Sequence, residues 1–279
     1  MNLECLRPSD SESWMTQGLN VPVQFDEITG FDGPDYALLQ VAVAIEDVSQ
    51  IKALANNLYL KLLGLASKLD KPRLVRVWNY IPQINAGKDD NECYRQFCWG
   101  RAEALGTTVL SAATGIGSQD GVLRICMLST TTDSPSQGLQ IRHLENPRQI
   151  SAYSYPREYG PRSPSFARAT LIEPPATADR PGLLLLSGTA SIVAHESRHK
   201  GNLQGQSRET ARNIQTLLAT LERPAQPIAL RYYLRDPDRL AAAMDCWHEH
   251  FNDWPLPAFY RADICRAELD LEIEGVFRV

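Results

Sequence analysis

The chain has 279 residues, of which 43% are hydrophobic and 22% are charged, and its net charge is −5 at pH 7. This length predicts one large domain or two of ordinary size, and the composition is typical of a soluble globular protein. An acidic chain is not expected to bind nucleic acid, because phosphate binding requires an excess of lysine and arginine. No apolar run approaches the roughly 20 residues that span a bilayer, so no membrane association is expected.

The start of the chain and its cysteines predict a cytoplasmic protein. Residues 1–7 lack the basic start and apolar core of a signal peptide. The six cysteines are scattered along the chain and include no metal-type CxxC pair. Reduced thiols in a cytoplasm are the simplest account of this pattern.

The first half of the chain predicts alternating strands and helices. Ile51, Leu54 and Leu58 recur at helical spacing, whereas the segment before them is almost continuously apolar, which is typical of a strand. The predicted elements are a strand at 36–45, a helix at 47–68, a strand at 73–80, a helix at 91–105 and a strand at 123–128. The Ser, Pro and Gly residues of 133–138 then predict a loop.

The second half repeats this order. Strand segments are expected at 183–186 and 191–194, interrupted at 187–189, followed by a helix at 206–221, a strand at 228–234, a helix at 238–250 and strand material at 258–277. The repetition predicts two related α+β halves, 1–145 and 146–279, that meet near residues 130–146.

The sequence His195-Glu-Ser-Arg-His199 matches the zinc-protease pattern HExxH. That pattern binds zinc when a helix places both imidazoles on one face, one turn apart. Here the preceding residues, including Ile192 and Val193, are strand-like, and Gly201 would end a helix immediately after the motif. We therefore expect a strand end that enters a polar loop, and no metal site.

Residues 146–168 concentrate arginine and tyrosine in an otherwise acidic protein. The segment contains one acid, Glu158, beside Arg148, Arg157, Arg162, Arg168, Tyr153, Tyr155 and Tyr159. Guanidinium groups bind carboxylates through two parallel hydrogen bonds, and phenol hydroxyls add directional ones. The segment predicts a site for an anionic ligand, or alternatively an ordinary surface loop with solvated arginines.

A second arginine–tyrosine pair lies on the predicted helix at 91–105. Tyr94 and Arg101 are two turns apart on one helical face, with Cys98 between them. This stripe could hold a second acidic group of a ligand. Tyrosine and arginine also commonly border the buried stripe of a helix, and the helix alone favours that interpretation.

The residues at 268–274 alternate between acidic and aliphatic types. In a strand, Glu268, Asp270, Glu272 and Glu274 would share one face, with Asp270 and Glu274 each roughly 6.6 Å from Glu272 along the strand. Nearby like charges and burial both raise a carboxyl pKa, and a glutamic acid that stays protonated near neutral pH can serve as a general acid. The alternative is a solvated strand face, which this segment alone favours.

Several blocks of the sequence together resemble the chorismatase family. They are "RLVRVWNYIPQIN", "YRQFCWGRAEAL", "AATGIG", "ENPRQISAYSYPREYGPRSPSFARA", "LLLLSGTASIVAHESRHKG", "QSRETARNI" and "ADICRAELDLEIEG". The likeness runs from about residue 73 to the C-terminus and is weak over residues 1–70. It implies an α+β chain of two halves with the RidA (YjgF-like) fold, each a mixed sheet with helices packed on one face.

The resemblance implies an enzyme that acts on chorismate, a small molecule with two carboxylates, without a cofactor. The family's acid is a glutamate on the final strand, and the matching residue here is Glu272, which would protonate the enolpyruvyl methylene and release pyruvate. The residues in the motif blocks that could bind the carboxylates are Tyr94, Arg101, Tyr155, Arg162 and Arg168. The choice between Arg162 and Arg168 is open.

Cys265 bears on the product. Family branches differ at the position seven residues before the acid. A cysteine there resembles the branch that forms 3-hydroxybenzoate, in some members with 4-hydroxybenzoate. An alanine resembles the hydrolysing branch, which makes a dihydroxycyclohexadiene carboxylate and pyruvate, and this hydrolase activity is the alternative function within the family. On one regular strand, Cys265 and Glu272 would lie on opposite faces, roughly 23 Å apart. If both line one pocket, the chain must bend near residues 266–268, and we predict that bend.

Two other functions are compatible with the sequence. A RidA-like deaminase would act on reactive enamines or imines, and a binding module would recognise an aromatic carboxylate without converting it. The first half, which a simple RidA protein does not need, favours the chorismatase interpretation. RidA proteins form trimers with sites between subunits, so a monomer and a homotrimer are both open.

Overall fold

A computed structural model describes residues 3–7, 21–106, 110–131, 139–175 and 181–279. The described strands, in chain order, are β1 (Cys5–Arg7), β2 (Val21–Phe25), β3 (Ile28–Asp32), β4 (Tyr36–Ala44), β5 (Arg73–Pro82), β6 (Ala112–Ser118), β7 (Val122–Thr130), β8 (Gln140–Leu144), β9 (Ala169–Glu173), β10 (Leu183–Thr189), β11 (Ile192–Val193), β12 (Glu196–Ser197), β13 (Gln226–Leu234), β14 (Ala258–Arg261) and β15 (Leu271–Arg278). The described helices are α1 (Ile51–Lys68), α2 (Cys93–Leu105), α3 (Leu203–Leu218) and α4 (Leu240–His250). None of them is both long and apolar enough to cross a bilayer.

Two mixed sheets form the framework. The first has the strand order β2-β3-β4-β7-β5-β6, and the second has the order β1-β14-β13-β15-β10-β9-β8. Each sheet contains one parallel pair, β5 with β6 and β13 with β14, among antiparallel neighbours. The predicted fold class, α+β with a mixed sheet in each half and helices on one face, is confirmed.

The elements stack in four layers, with helices outside and the two sheets facing each other inside. Helices α1 and α2 pack on the first sheet through a core that includes Leu58 and Val77, and α3 and α4 pack on the second through a core that includes Ile214 and Tyr232. A third core between the sheets contains Trp78. Both faces of the central strands are therefore buried, which explains why their sequences are almost continuously apolar.

The two sheets join along β6, the edge strand of the first. The backbone N–H of Ala112 donates to the Thr170 hydroxyl (2.9 Å), and that of Ala113 donates to the Ser187 hydroxyl (3.0 Å). Ser187 in turn donates to the carbonyl of Ala167 (2.6 Å). Side chains of the second half thus complete the hydrogen bonding of an edge strand in the first.

The predicted elements are present, with several different boundaries. β10 continues through 187–189, where an interruption was expected, because its register with β15 shifts there without breaking the strand. The second sheet also includes β1 and β8, both of which precede residue 146. The loop predicted at 133–138 lies outside the described residues.

The predicted bend between Cys265 and Glu272 is present. The strand material predicted at 258–277 divides into β14 and β15, and residues 265–268 between them form a turn. The N–H of Leu269 donates to the carbonyl of Arg266 (3.0 Å) within this turn. The turn reverses the chain and lets residues on both sides of it reach one cavity.

Candidate active site

A cavity of about 280 Å³ lies where the two halves meet. This volume is close to the lower end of the roughly 300–1,000 Å³ that small-molecule pockets span. The predicted site residues that line it are Tyr94, Arg101, Tyr155, Arg168, Cys265 and Glu272. Its walls are therefore polar and cationic on several sides, and Glu272 is one of three glutamates in the lining, with Glu92 and Glu268.

Helix α2 supplies one wall of the cavity. Tyr94, Cys98 and Arg101 occupy the predicted stripe, and all three face the cavity. The helix can approach α1 closely because Gly100 lacks a side chain: a Cβ there would overlap the backbone carbonyl of Lys52. The stripe is thus both part of a helix packing surface and part of a cavity wall.

Glu272 lies in β15 with 4% of its surface exposed, and its carboxyl reaches the cavity. The predicted alternative of a solvated strand face is wrong for Glu272 and Glu274, because the first sheet covers that face of β15. Among the described residues, no donor forms a hydrogen bond with the Glu272 carboxyl. Burial, reinforced by the negative charge of Glu274, raises the pKa of Glu272 to about 8, against the opposing effect of Arg76 and Arg168.

Gly188 provides the space for this carboxyl. A Cβ added at Gly188 would overlap Oε1 and Cδ of Glu272. We expect Gly188→Ala to displace the carboxyl and to reduce turnover about 100-fold while the chain still folds, since a displacement of about 1 Å can have that effect. The matched control is Gly64→Ala on α1, where an added Cβ meets no atom within 4 Å. Comparable activity loss in both variants would contradict this role.

Arg101 is 4% exposed and is held from two directions. Its Nε donates to the hydroxyl of Tyr59 (2.8 Å) and its Nη1 donates to the carbonyl of Ser165 (2.5 Å). The Tyr59 hydroxyl donates in turn to Oδ1 of Asn79 (2.5 Å). These bonds fix the guanidinium plane before any ligand arrives, which lowers the ordering cost of binding.

Arg168 is equally buried, and it lies beside Tyr155. Its Nη2 donates to the carbonyl of Ile150 (2.8 Å) and to the hydroxyl of Tyr155 (2.9 Å), and the guanidinium lies 5.1 Å from the centre of the Phe166 ring. Nε of Arg168 is buried without a hydrogen-bond partner among the described residues. A buried cationic donor without a partner can bind an acceptor on a ligand.

Cys265 sits at the start of the turn, half-buried and against the cavity. Burial and the neighbouring Glu272 carboxyl raise the pKa of its thiol, and Arg266 only partly opposes this shift. The side chain is therefore a neutral thiol near pH 7, which is a weak nucleophile.

Several polar and charged residues of the cavity were not among the predicted site residues. They are Asn79, Glu92, Arg95, Thr114, Gln149, Tyr159, Arg266 and Glu268. Arg266 lies over the Tyr159 ring, 4.2 Å from its centre, and donates to the carbonyl of His195 (2.8 Å). Tyr159 belongs to the arginine–tyrosine segment that the sequence indicated, whereas the only signal for Arg266 was its position next to Cys265.

Arg162 and the HExxH motif do not line this cavity. Arg162 is exposed and lines a separate, open depression with Tyr153, so the structure brings Arg168 but not Arg162 to the cavity.

The HExxH motif lies on the β11–β12 hairpin, where Val193 pairs with Glu196, and not on a helix. The strand-and-loop interpretation of that motif is confirmed.

The geometry defines a site that can bind a carboxylate-bearing ligand with arginines and present a buried, protonated carboxyl to it. Comparisons with known proteins agree with this description. A family model described as "Chorismatase FkbO/Hyg5-like, N-terminal" matches residues 12–129. A 3-hydroxybenzoate synthase from Streptomyces hygroscopicus is 31% identical over 95% of this chain and 81% of its own length.

Further relatives carry the same family name. A chorismatase from Streptomyces rapamycinicus is 32% identical over 96% of this chain and 82% of its own length. A crystal structure of a chorismatase superposes with a TM-score of 0.81 at 30% identity, and the match covers 91% of this chain and 78% of that one. The chain belongs to the chorismatase family.

Proposed function

We propose that this protein is a cytoplasmic enzyme that converts chorismate to 3-hydroxybenzoate and pyruvate. The observation that carries the proposal is Glu272, a buried carboxyl with a raised pKa in a cavity lined by Arg101 and Arg168. The name of the 3-hydroxybenzoate synthase from Streptomyces hygroscopicus supports the choice of product.

In the proposed reaction, Glu272 donates its proton to the methylene carbon of the enolpyruvyl group. The ether carbon then becomes an oxocarbenium, and cleavage of the bond between the ring and the ether oxygen releases pyruvate, which keeps that oxygen as its keto oxygen. The oxygen of the neighbouring ring hydroxyl moves to the vacated ring carbon, and the net loss of one proton, which restores the acid on Glu272, gives 3-hydroxybenzoate. The atoms balance without added water, because chorismate has the composition of hydroxybenzoate plus pyruvate. Arg101 and Arg168, assisted by Tyr94 and Tyr155, would hold the two carboxylates and position the methylene carbon near the acid.

The test is incubation of the purified protein with chorismate, followed by chromatography of the aromatic products and an enzymatic assay of pyruvate. We expect equal amounts of pyruvate and hydroxybenzoate, with the 3-isomer as the main aromatic product. Binding of chorismate without any pyruvate would instead identify a binding module. Ammonia release from imines, with chorismate unchanged, would identify a deaminase.

We further propose that Cys265 selects the product as a neutral side chain that shapes the pocket. Cys265→Ala is expected to shift products toward the dihydroxycyclohexadiene carboxylate while pyruvate release continues, because the smaller side chain leaves room for water beside the intermediate. Cys246→Ala, in α4 and outside the lining of the cavity, is the matched control. An unchanged product ratio in Cys265→Ala would remove this residue from product selection.

A further inference from the structure

Glu272 and Glu274 are two positions apart in β15, on the same face, and both are buried, with 4% and 3% exposed surface. Their surroundings nevertheless differ completely. The Glu272 carboxyl faces the cavity and has no hydrogen-bond donor among the described residues. The Glu274 carboxylate lies between the sheets and is surrounded by donors.

Four side chains from three strands, β5, β6 and β13, converge on Glu274. Its Oε2 accepts from Arg76 Nη2 (2.5 Å) and from the Thr114 hydroxyl, and its Oε1 accepts from the Tyr233 hydroxyl (2.7 Å) and Arg231 Nη1 (3.1 Å). Two of these donors are guanidinium groups, which can only donate. A proton on Glu274 could form a hydrogen bond with neither guanidinium group.

The orientation of the Thr114 hydroxyl strengthens this argument. Its oxygen accepts hydrogen bonds from Arg76 Nη2 (2.5 Å) and from the backbone N–H of Gly188 (3.0 Å), both of which can only donate. The one hydroxyl hydrogen must therefore point at Glu274. Gly188 is also the residue against which the Glu272 carboxyl packs, so the hydrogen bonds that hold Glu274 also fix the backbone beside Glu272.

Electrostatics agree with the geometry. Burial favours the neutral form of Glu274, but Arg76 and Arg231, with hydrogen bonds from Thr114 and Tyr233, outweigh it and hold the pKa of Glu274 below its usual range. A fixed negative charge two residues away on one strand face, roughly 7 Å distant, disfavours a second charge on Glu272.

We propose that Glu274 is a positioning residue, a permanently ionised carboxylate whose charge, added to the effect of burial, keeps the neighbouring Glu272 carboxyl protonated. This inference rests on the proposed function, in which Glu272 is the proton donor. The other groups that interact electrostatically with Glu272 are Arg76 from β5, Arg168 from the segment before β9, Tyr94 from α2 and Cys265 from the turn. The cavity that Glu272 faces is also lined by Glu92, Arg95, Cys98 and Arg101 from α2 and the residue before it, Tyr155 and Tyr159 from the arginine–tyrosine segment, and Arg266 and Glu268 from the turn. Arg76 and Arg168 both favour ionisation of Glu272, so Glu274 is the charge that opposes them.

The test compares the pH dependence of kcat/KM for chorismate in wild type and Glu274→Gln. In wild type, kcat/KM should fall as the pH rises through about 8, where Glu272 loses its proton. In the variant, this decline should move about one pH unit lower, which makes kcat/KM about fivefold lower than wild type at pH 8 and similar at pH 6.

Asp270→Asn is the matched control, since it removes one negative charge two residues before Glu272. The structure places Asp270 toward α3 and α4, where Oδ2 accepts from Gln206 (3.2 Å) and Arg239 (3.4 Å). Its pH profile should coincide with that of wild type. If Glu274→Gln also keeps the wild-type profile, or if both variants shift alike, the inference is wrong.

The double variant Arg76→Gln/Glu274→Gln addresses the case in which Glu274→Gln does not fold, because it removes the buried ion pair as a unit. In the double variant, the decline of kcat/KM should also move toward lower pH, but by less than in Glu274→Gln. The shift is smaller because Arg76 favours ionisation of Glu272, so its loss acts in the opposite direction. A shift toward higher pH in the double variant would contradict the inference.

A measurement without turnover separates this inference from the proposed function. A carboxyl whose folded pKa is raised stabilises the protein fully below its unfolded pKa, and that contribution is lost as the pH rises to the folded value. The unfolding free energy of wild type should therefore fall relative to that of Glu272→Gln as the pH rises, and the difference between the two proteins should stop growing near pH 8. When both proteins also carry Glu274→Gln, the difference should stop growing about one pH unit lower, and this result does not depend on the identity of the substrate. The same end point in both backgrounds would overturn the role of Glu274.

Discussion

Glu272→Gln is expected to lower the rate of pyruvate release from chorismate by about 10²–10⁴-fold, the range that a general acid contributes. The amide has almost the same shape as the protonated carboxyl, so the cavity and the contact with Gly188 should be preserved. Steady-state kinetics would measure the loss, and calorimetry would show whether the variant still binds chorismate. Turnover at the wild-type rate would assign the proton to another group.

The same substitution should make the protein more stable at neutral pH. Because the pKa of Glu272 is raised to about 8, the folded wild type retains a proton that the unfolded chain releases. Its unfolding free energy should therefore fall relative to Glu272→Gln by up to about 1.4 kcal/mol per pH unit between roughly pH 5 and pH 8. Denaturant titrations across this range would measure the difference, and parallel curves would show that Glu272 is ionised in the folded state.

Arg168→Met is expected to reduce kcat/KM for chorismate by roughly 100-fold, equivalent to about 3 kcal/mol of a charge-assisted hydrogen bond. Methionine preserves much of the packing against Phe166 but removes the charge and the Nε donor. Arg168→Lys, which keeps the charge and loses the planar fork, should recover only part of the activity. Steady-state kinetics at a pH well below 8 would avoid any effect of Glu272 ionisation.

Arg162→Met is the matched control, because both arginines belong to the same segment and only Arg168 lines the cavity. Its activity should lie within twofold of wild type. A large loss in Arg162→Met together with a small one in Arg168→Met would mean that the segment rearranges when the substrate binds.

The elements that the sequence predicted well are those with a strong local signal. The helical spacing of Ile51, Leu54 and Leu58 identified α1, and the stripe of Tyr94 and Arg101 on α2 proved to face the cavity. The bend after Cys265 was predicted because a straight strand could not bring that residue near Glu272.

What the sequence did not reveal depends on contacts between distant segments. Spacing alone made Asp270 and Glu274 equivalent neighbours of Glu272, and only the fold places Arg76, 198 positions earlier, against Glu274. The burial of that strand face is also a property of the second sheet packing on the first. Arg266 was missed for the same reason, since its partners in the 155–159 segment are more than 100 residues away.

The join along β6 means that neither half can be studied as an independent enzyme. In a fragment that ended before β9, the hydroxyls of Thr170 and Ser187 would be missing, and β6 would present unpaired amide groups to solvent, a template for pairing with another chain. The fragment would also lack Gly188 and Glu272, while the complementary fragment would lack Thr114. Any engineered split of the gene should therefore yield insoluble pieces that recover activity only when co-expressed.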